Sequence, residues 1–302
     1  MGEVLRLFAG AGRVLDGTLG GGGHAYALLH ADENVRVVGL DRDPEAIAVS
    51  SARLDAFARD GRFVAYERNY AEIDSRGDRD LVGSGFDGVL LDLGVSSHQV
   101  DAHERGFTFR PGAPLEMRMG PDVANNAAGW LATVGEREME EAFREYADEP
   151  RARRLAREIV RRRRNRPMAT SDDLVGAIRA ALGPRSGPGD FARLFQAVRI
   201  VINDEIGGLR RALPALRRCL RPDGTFVVIA YHSGEDRLVK GAFREWSAAC
   251  ICPPKQPVCT CRGRPLGALL TRKAITATAE EVTLNPRARS AHLRAWRNAQ
   301  HP

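Results

Sequence analysis

The chain has 302 residues, of which 43% are hydrophobic and 28% are charged, a composition typical of a globular protein. No run approaches the roughly 20 apolar residues of a membrane-spanning helix, and the first residues lack a basic head followed by an apolar stretch. These absences predict a cytoplasmic protein with no membrane partner. The 45 basic residues exceed the 39 acidic ones, which favours an anionic partner wherever the basic residues cluster.

The first hundred residues alternate between strand-like and helix-like segments. Strands are predicted over 13–16, 35–40, 62–66 and 86–91, and helices over 25–31 and 44–58. This alternation predicts an α/β fold with a mostly parallel sheet and helices on both faces. Asp16, Asp41 and Asp92 stand at the ends of three of these strands, where ligands of such sheets bind.

Four consecutive glycines, Gly20 to Gly23, join the first strand to the first helix. A P-loop is excluded because no lysine follows the glycines, and the dinucleotide fingerprint is a near miss with Ala25 at its sixth position. The three surrounding carboxylates favour a cationic ligand without phosphates, and S-adenosylmethionine has this character. Asp41 is expected to accept the ribose hydroxyls, and Asp92 to face the ammonium or the reacting group. A flexible turn without a ligand is the alternative.

The alternating pattern breaks after Gly106. Helices are predicted over 125–133, 136–146, 151–164 and 171–181, then a linker over 182–189 and a long amphipathic helix over 195–216. A strand over 226–231 resumes the α/β pattern. The chain is therefore predicted to hold one α/β domain in two parts, 1–108 and 193–302, interrupted by a helical substrate-recognition domain over 109–192.

The predicted helix 151–164 begins a segment, 151–166, with nine arginines in sixteen residues. Ala152, Leu155, Ala156, Ile159 and Val160 form an apolar stripe that leaves the arginines on the other face. Such dense clustering favours binding to RNA phosphates, with a solvated helix face as the alternative. Phe107 and Phe109 alternate with arginines, which suits either a pocket for a splayed-out base or packing in the core.

Six blocks in order resemble one known family: "GTLGGGGH" (17–24), "LDRDPEAI" (40–47), "LLDLGVSSHQVDAHERGFTFRPGAPLEMRM" (90–119), "LFQAVRIVINDEI" (194–206), "AYHSGEDRLVK" (230–240) and "NPRARSAHLR" (285–294). Together they are similar to the small-subunit (16S) ribosomal RNA cytosine-N4 methyltransferases of the MraW type. The resemblance implies a class I methyltransferase fold with an inserted helical domain. It also implies methyl transfer from S-adenosylmethionine to the N4 amine of a cytidine in the decoding centre.

The resemblance carries specific roles onto this chain. The implied cofactor contacts are Gly22, Gly23, His24, Asp41, Tyr70, Asp92 and Gln99. The implied substrate contacts are Arg118, Arg199, Arg287 and Arg289. His232 follows an apolar strand and is a further candidate to face the base, with a hydrogen-bonded structural role as the alternative. Asp92, or a carbonyl of the turn after it, is the candidate acceptor for an N–H of the amine, and a purely cofactor-binding Asp92 is the alternative. The implied partner is small-subunit ribosomal RNA or the assembling 30S subunit, and no DNA is expected.

The chain departs from the family pattern in a few places. The family usually has a His-x-Pro-Val-Leu segment before the first strand, and this sequence begins inside that region. His98 replaces a proline, Ala230-Tyr231 replaces Ser-Phe, and Gly234 replaces a leucine. The missing segment leaves open an RNA-binding protein with a decayed cofactor site.

Four of the five cysteines lie at 250, 252, 259 and 261. The pairs are CxC rather than CxxC and three prolines lie between them, so no metal site is predicted, and a zinc site is the alternative. Two further functions remain as alternatives to ribosomal RNA methylation. One is a methyltransferase for another RNA, a protein or a small molecule, and the other is a nucleotide-dependent oxidoreductase.

Overall fold

Five parallel strands form one side of an eight-stranded sheet in the order β3-β2-β1-β4-β5, and antiparallel strands complete it. The computed structural model describes residues 1–73, 77–253, 256 and 258–300, and the side chains of Arg79, Ser97 and His98 lie outside the description. The strands are β1 Arg13–Asp16, β2 Arg36–Asp41, β3 Phe63–Glu67, β4 Phe86–Asp92, β5 Leu220–Ala230, β6 Gly267–Leu269, β7 Ile275–Thr276 and β8 His292–Asn298.

Helices separate the parallel strands, as the alternating pattern predicts. The α-helices are α1 Gly2–Leu7, α2 Gly23–Ala31, α3 Pro44–Arg53, α4 Asp55–Arg59, α5 Arg79–Val82, α6 Ser97–Asp101, α7 Ala127–Thr133, α8 Glu136–Ala147, α9 Ala152–Arg163, α10 Ser171–Leu182, α11 Pro188–Ile202, α12 Glu205–Arg218, α13 Ser233–Ser247 and α14 Ala279–Leu284. Short 3₁₀ turns cover Tyr70–Glu72, His103–Arg105 and Pro286–Ser290. The predicted α/β class with a mostly parallel sheet is confirmed.

Alternate residues of the central strands point into two separate cores, one on each face of the sheet. On β1, Leu15 belongs to the core that α12 and α13 cover, whereas Val14 belongs to the core that α1 and α2 cover. Leu91 and Leu90 of β4 divide in the same way. Because side chains alternate across a strand, a continuous apolar run supplies both faces of a buried parallel sheet.

The chain divides into two compact units. The first comprises Met1–Gly94 and Gly207–Pro302 and holds the sheet, and the second comprises Val95–Ile206 and is helical. The helical unit spans more residues at each end than the predicted insertion of 109–192.

The apolar stripe of α9 is buried in the core of the helical unit, as predicted: Ala152, Leu155, Ala156 and Ile159 are all fully buried. Phe109 packs edge-on against Phe191 and Phe195, with ring centroids 5.9 and 6.2 Å apart. This contact is core packing, which is one of the two interpretations that the sequence allows for Phe109.

Two predicted helices are broken in the structure. The segment 44–58 forms two helices that meet at Leu54. The predicted helix 195–216 is also two helices, α11 and α12, because Asp204 adopts a left-handed φ of 50°. The side chain of Asn203 accepts a hydrogen bond from Met119 N at 2.8 Å and donates one to Met117 O at 2.8 Å. These contacts come from distant residues, so the helical period of the sequence does not reveal the break.

Candidate active site

The loop from β1 to α2 contains the glycine run, and its glycines differ in backbone conformation and in their surroundings. Gly20 and Gly22 have left-handed φ values of 51° and 72°. A Cβ at Gly22 would also lie 3.1 Å from Leu54 Cδ1, so both backbone and packing require glycine there. A Cβ at Gly21 or Gly23 would meet no described atom within 4 Å. The backbone at Gly21 and Gly23 therefore borders open space.

Asp41, at the end of β2, holds this loop through its carboxylate. Oδ2 accepts a hydrogen bond from Gly20 N at 2.8 Å, and Oδ1 accepts one from Asp43 N at 2.9 Å. Burial raises the pKa of Asp41 above its ordinary value, although these two hydrogen bonds act in the opposite direction. Each oxygen keeps a second lone pair, so Asp41 can fix the loop and still accept two hydroxyl donors.

Asp92, at the end of β4, lies between two side chains of the same unit. Its Oδ1 accepts a hydrogen bond from the hydroxyl of Tyr231 at 2.9 Å, and its Oδ2 lies 3.4 Å from His24 Nε2. The backbone N–H of Asp92 donates to Thr18 Oγ1 at 2.6 Å. Asp92 is thus tied to the glycine loop, to α2 and to the end of β5.

His24 is the second residue of α2 and is largely buried. Burial disfavours its charged form, but the contacts with Asp92 outweigh this and raise the pKa of His24 above its ordinary value. Its Nδ1 is buried and has no hydrogen-bond partner among the described residues. A buried polar atom without a partner is costly, so Nδ1 marks a position at which a ligand atom would be stabilised.

Asp16, at the end of β1, is only 1% exposed. Burial raises its pKa to about 7, and the charge of His24 acts to lower it. Thr18 N donates to Oδ1 of Asp16 at 3.2 Å. The charges of Asp92 and Asp41 also act to raise the pKa of Asp16, so both acids lie near it, as the parallel sheet predicts.

Tyr70 packs behind the start of the loop. Its Cβ lies 3.4 Å from the position that a Cβ on Gly17 would occupy. Gln99 lies in the helical unit, where its Oε1 accepts from Ser96 N at 3.0 Å and its own N–H donates to Ser96 Oγ at 3.2 Å. The cofactor contacts assigned to Tyr70 and Gln99 remain predictions.

His232 is the N-cap of α13. Its Nδ1 accepts from Glu235 N at 3.4 Å, while Glu235 Oε2 accepts from the backbone N–H groups of Tyr231 and His232 at 2.9 and 3.3 Å. This reciprocal arrangement is a capping box, which fixes where α13 begins. The geometry therefore gives His232 a structural role, and its contact with the base remains a prediction.

The four predicted RNA-binding arginines have different surroundings. Arg199 makes a two-point ion pair with Glu205, at 2.8 and 2.9 Å, and its side chain is only 14% exposed. Arg118 pairs with Glu116 and is 40% exposed. Arg287 and Arg289 lie on the exposed 3₁₀ turn before β8. Arg118, Arg287 and Arg289 are therefore better placed than Arg199 to meet phosphate.

Two residues of this site were missed by sequence reasoning. Thr18 sits inside the glycine loop, and Tyr231 directly follows β5. A signal for Tyr231 did exist, because it replaces the usual phenylalanine of the family and adds a hydroxyl beside a strand end. Its significance appears only when β5 is known to lie beside β4 in the sheet.

The sequence is similar to a known protein family over nearly its whole length. The model of the MraW methylase family matches residues 3–299. A protein of Gemmatimonas aurantiaca named ribosomal RNA small subunit methyltransferase H is 60% identical over 99% of this chain and 94% of that protein. Proteins of the same name from Heliobacterium mobile and Rubrobacter xylanophilus are 45% and 46% identical, over 94% and 99% of this chain and over 91% and 94% of their own lengths.

Proposed function

The chain belongs to the MraW methylase family, and from this premise we propose that it transfers a methyl group from S-adenosylmethionine to the N4 amine of a cytidine in small-subunit ribosomal RNA. The family resemblance and the methyltransferase class that the sequence predicts are confirmed. The target atom, the target nucleotide and the site residues are parts of the proposal.

The observation that carries the proposal is the pair of strand-end carboxylates beside an open glycine backbone. Asp41 is held by Gly20 N and Asp43 N, and Asp92 is held by Tyr231 and Thr18. S-adenosylmethionine, when bound, supplies a methyl group on a positively charged sulfur. Carboxylates attract that charge and no phosphate has to be accommodated, so the donor set fits this cofactor and argues against a dinucleotide.

We assign the open backbone at Gly21 and Gly23, together with the buried Nδ1 of His24, to cofactor contact. Asp41 accepts the two ribose hydroxyls with the lone pairs that Gly20 and Asp43 leave free. Because both carboxylate oxygens are already fixed by backbone N–H groups, little freedom remains to be lost when the ribose binds.

Asp92 is the assigned acceptor for one N–H of the cytosine amine. Tyr231 occupies Oδ1, which leaves Oδ2 beside His24 to accept the amine. Holding one N–H turns the nitrogen lone pair toward the incoming methyl group, and such placement can supply about 7–11 kcal/mol of a barrier. A methylated amine would carry one proton too many, and Oδ2 of Asp92 would accept that proton.

The helical unit and the basic 3₁₀ turn supply the proposed RNA contacts. Exposed arginines of α9 and the exposed Arg287 and Arg289 provide cations for phosphates. We place the activity in the cytoplasm, on ribosomal RNA or on an assembling 30S subunit. Among the described residues, no helix is both long and apolar enough to span a membrane.

A direct test compares cells with and without the protein by mapping methylated cytidines in small-subunit RNA. Loss of one N4-methylated cytidine, restored by the wild-type chain and not by Asp41→Ala, is expected. Purified protein with labelled S-adenosylmethionine then compares naked RNA, isolated small subunits and a protein and metabolite extract. Label in the extract alone, or an unchanged cytidine map, would refute the proposal.

A further inference from the structure

Four cysteines form a cluster in the loop between α13 and β6. The Sγ atom of Cys259 lies 3.7 Å from that of Cys250, 3.8 Å from that of Cys252 and 3.5 Å from that of Cys261. Cys261 Sγ is also 3.8 Å from Cys250 Sγ, and all four sulfur atoms lie within 4.8 Å of one another. None of the four cysteines is among the residues assigned to methyl transfer.

These distances match a metal site and exclude disulfides in this structure. A zinc–sulfur bond is about 2.3 Å long, so the edges of a regular tetrahedron of four sulfur atoms around zinc measure about 3.8 Å. The four sulfur–sulfur separations given above are close to this value. A disulfide would instead bring two sulfur atoms to about 2.05 Å.

The loop has little else to hold it together. None of its described residues from 249 to 265 is buried, and its apolar residues Ile251 and Val258 are 45% and 70% exposed. Its C-terminal part is attached to the end of α13, because Arg262 donates to the carbonyls of Glu245 and Ala248. A segment without a core of its own needs a bond network at its centre, and a metal supplies one.

A backbone contact strengthens the resemblance to a metal-binding turn. Ile251 N donates to Cys261 Sγ at 3.4 Å, so the first CxC pair also bonds to a sulfur of the second. Hydrogen bonds of this kind orient metal-bound sulfur and offset its negative charge. Two arginines, Arg262 and Arg264, follow the last cysteine in the sequence.

We infer that Cys250, Cys252, Cys259 and Cys261 together bind one zinc ion. All four positions of the tetrahedron are taken by protein sulfur, so the site has no open position for a substrate and its role is structural. The CxC spacing argued against a metal when the sequence was considered alone. The fold brings the two pairs face to face, which the spacing within each pair does not reveal.

The test measures metal content of the full chain purified without added metal or chelator. One zinc per chain is expected, together with the sulfur-to-cobalt charge-transfer band of a tetrahedral thiolate site when Co²⁺ replaces zinc. The double variant Cys252→Ser/Cys259→Ser is expected to lose both signals. Cys219→Ala is the matched control, since Cys219 is buried elsewhere and is expected to leave the zinc content unchanged.

A second measurement keeps the inference testable if the double variant does not fold. Zinc removal from the wild-type chain by a chelator under reducing conditions should release four titratable thiols and speed tryptic cleavage after Arg262. The inference would be overturned if the Cys219→Ala variant and the double variant contained the same substoichiometric amount of zinc. Disulfides among the four cysteines, detected by mass spectrometry of the freshly purified chain, would also overturn it.

Discussion

The hydroxyl of Tyr231 donates a hydrogen bond of 2.9 Å to Oδ1 of Asp92 and so joins the carboxyl ends of the neighbouring strands β4 and β5. Burial, followed by the charge of Asp92, raises the pKa of Tyr231, which keeps the hydroxyl protonated and able to donate. The bond commits one oxygen of Asp92 and leaves the other beside His24. The two oxygens of Asp92 therefore differ: Tyr231 fixes Oδ1, whereas Oδ2 can accept an N–H of the substrate.

The variant Tyr231→Phe tests whether the hydroxyl of Tyr231 fixes one oxygen of Asp92. The change restores the residue usual in the family, so methyl transfer is expected to persist within about tenfold, while the free energy of unfolding falls by about 1–2 kcal/mol as one hydrogen bond is lost. Without the hydroxyl, Asp92 attracts the His24 proton more strongly, and the pKa of His24 should rise further. Chemical denaturation and imidazole NMR titration measure the two effects. Tyr66→Phe, at an exposed position on β3, is the control and should change neither.

Asp41→Asn is expected to weaken cofactor binding roughly tenfold to hundredfold, since a hydrogen bond to a charged group contributes about 1.5–3 kcal/mol. The amide oxygen of asparagine can still accept one backbone N–H, so the loop should keep its shape, whereas Asp41→Ala frees both Gly20 N and Asp43 N. Calorimetric titration with S-adenosylmethionine measures the affinity. Equal and full affinity in both variants would remove Asp41 from the cofactor site.

Asp16 should make stability depend on pH. Burial raises its folded-state pKa to about 7, above the ordinary value of 3.8 that it has when unfolded. Folding therefore favours the protonated form. The contribution of Asp16 to the free energy of unfolding is greatest below the pKa of the unfolded state. It falls as the pH rises to about 7 and then levels off. Asp16→Asn should flatten this dependence, as measured by thermal unfolding across that range.

Cofactor binding should shift the same equilibrium. A positive charge near Asp16 favours its ionised form, so cofactor binding is expected to release a proton. Below pH 7 the affinity should therefore increase by up to about tenfold for each unit by which the pH rises. Calorimetry in buffers of different ionisation enthalpy counts the protons. Proton release that persists in Asp16→Asn would assign it to another group.

The arginines of α9 divide into structural and available groups. Arg163 donates at 2.8 Å to the carbonyls of Leu131 and Val134, at the end of α7, so Arg163→Ala should cost about 1–3 kcal/mol of stability. Arg153 on α9 and Arg164, which caps the C-terminus of α9, are exposed, and their side chains make no ion pair or hydrogen bond with other described residues. Being 11 positions apart, they lie on nearly the same face of a helix.

Arg153→Gln/Arg164→Gln should therefore weaken RNA binding and leave stability and cofactor affinity unchanged. If each arginine neutralises one phosphate, the slope of log affinity against log salt should fall in magnitude by roughly 1.4–1.8. Fluorescence anisotropy at several salt concentrations measures the slope. An unchanged slope would mean that the RNA lies on another face.

The sequence predicts the acidic residues at the strand ends, but it does not predict their hydrogen-bond partners. Asp41 and Asp92 can be found because apolar strands of a parallel sheet end at one edge, a rule that operates on local sequence. Tyr231 and Thr18 reach Asp92 only through the pairing of strands distant in the chain. The capping role of His232 was likewise hidden, because a histidine before a helix is a less usual N-cap than serine, threonine or aspartate.

The same distinction explains the errors in the helices. Val198, Ile202, Ile206 and Leu209 keep a helical period across Asn203 and Asp204, so the pattern predicts one helix. The break depends on Asn203 bonding to Met117 and Met119, more than 80 residues earlier. The helix predicted over 171–181 does begin at Ser171, and its N-cap is Thr170, which forms a capping box with Asp173.

The two units can fold in a fixed order, because the chain is divided unequally between them. β4 ends at Asp92, but the strand beside it, β5, begins at Leu220, and β8 supplies a further pairing only from His292. During synthesis the helical unit, which is continuous from Val95 to Ile206, has emerged completely while the sheet still lacks its second half. The proposed cofactor site, in which Tyr231 binds Asp92, is therefore completed late, after the arginine-bearing surface of the helical unit has formed.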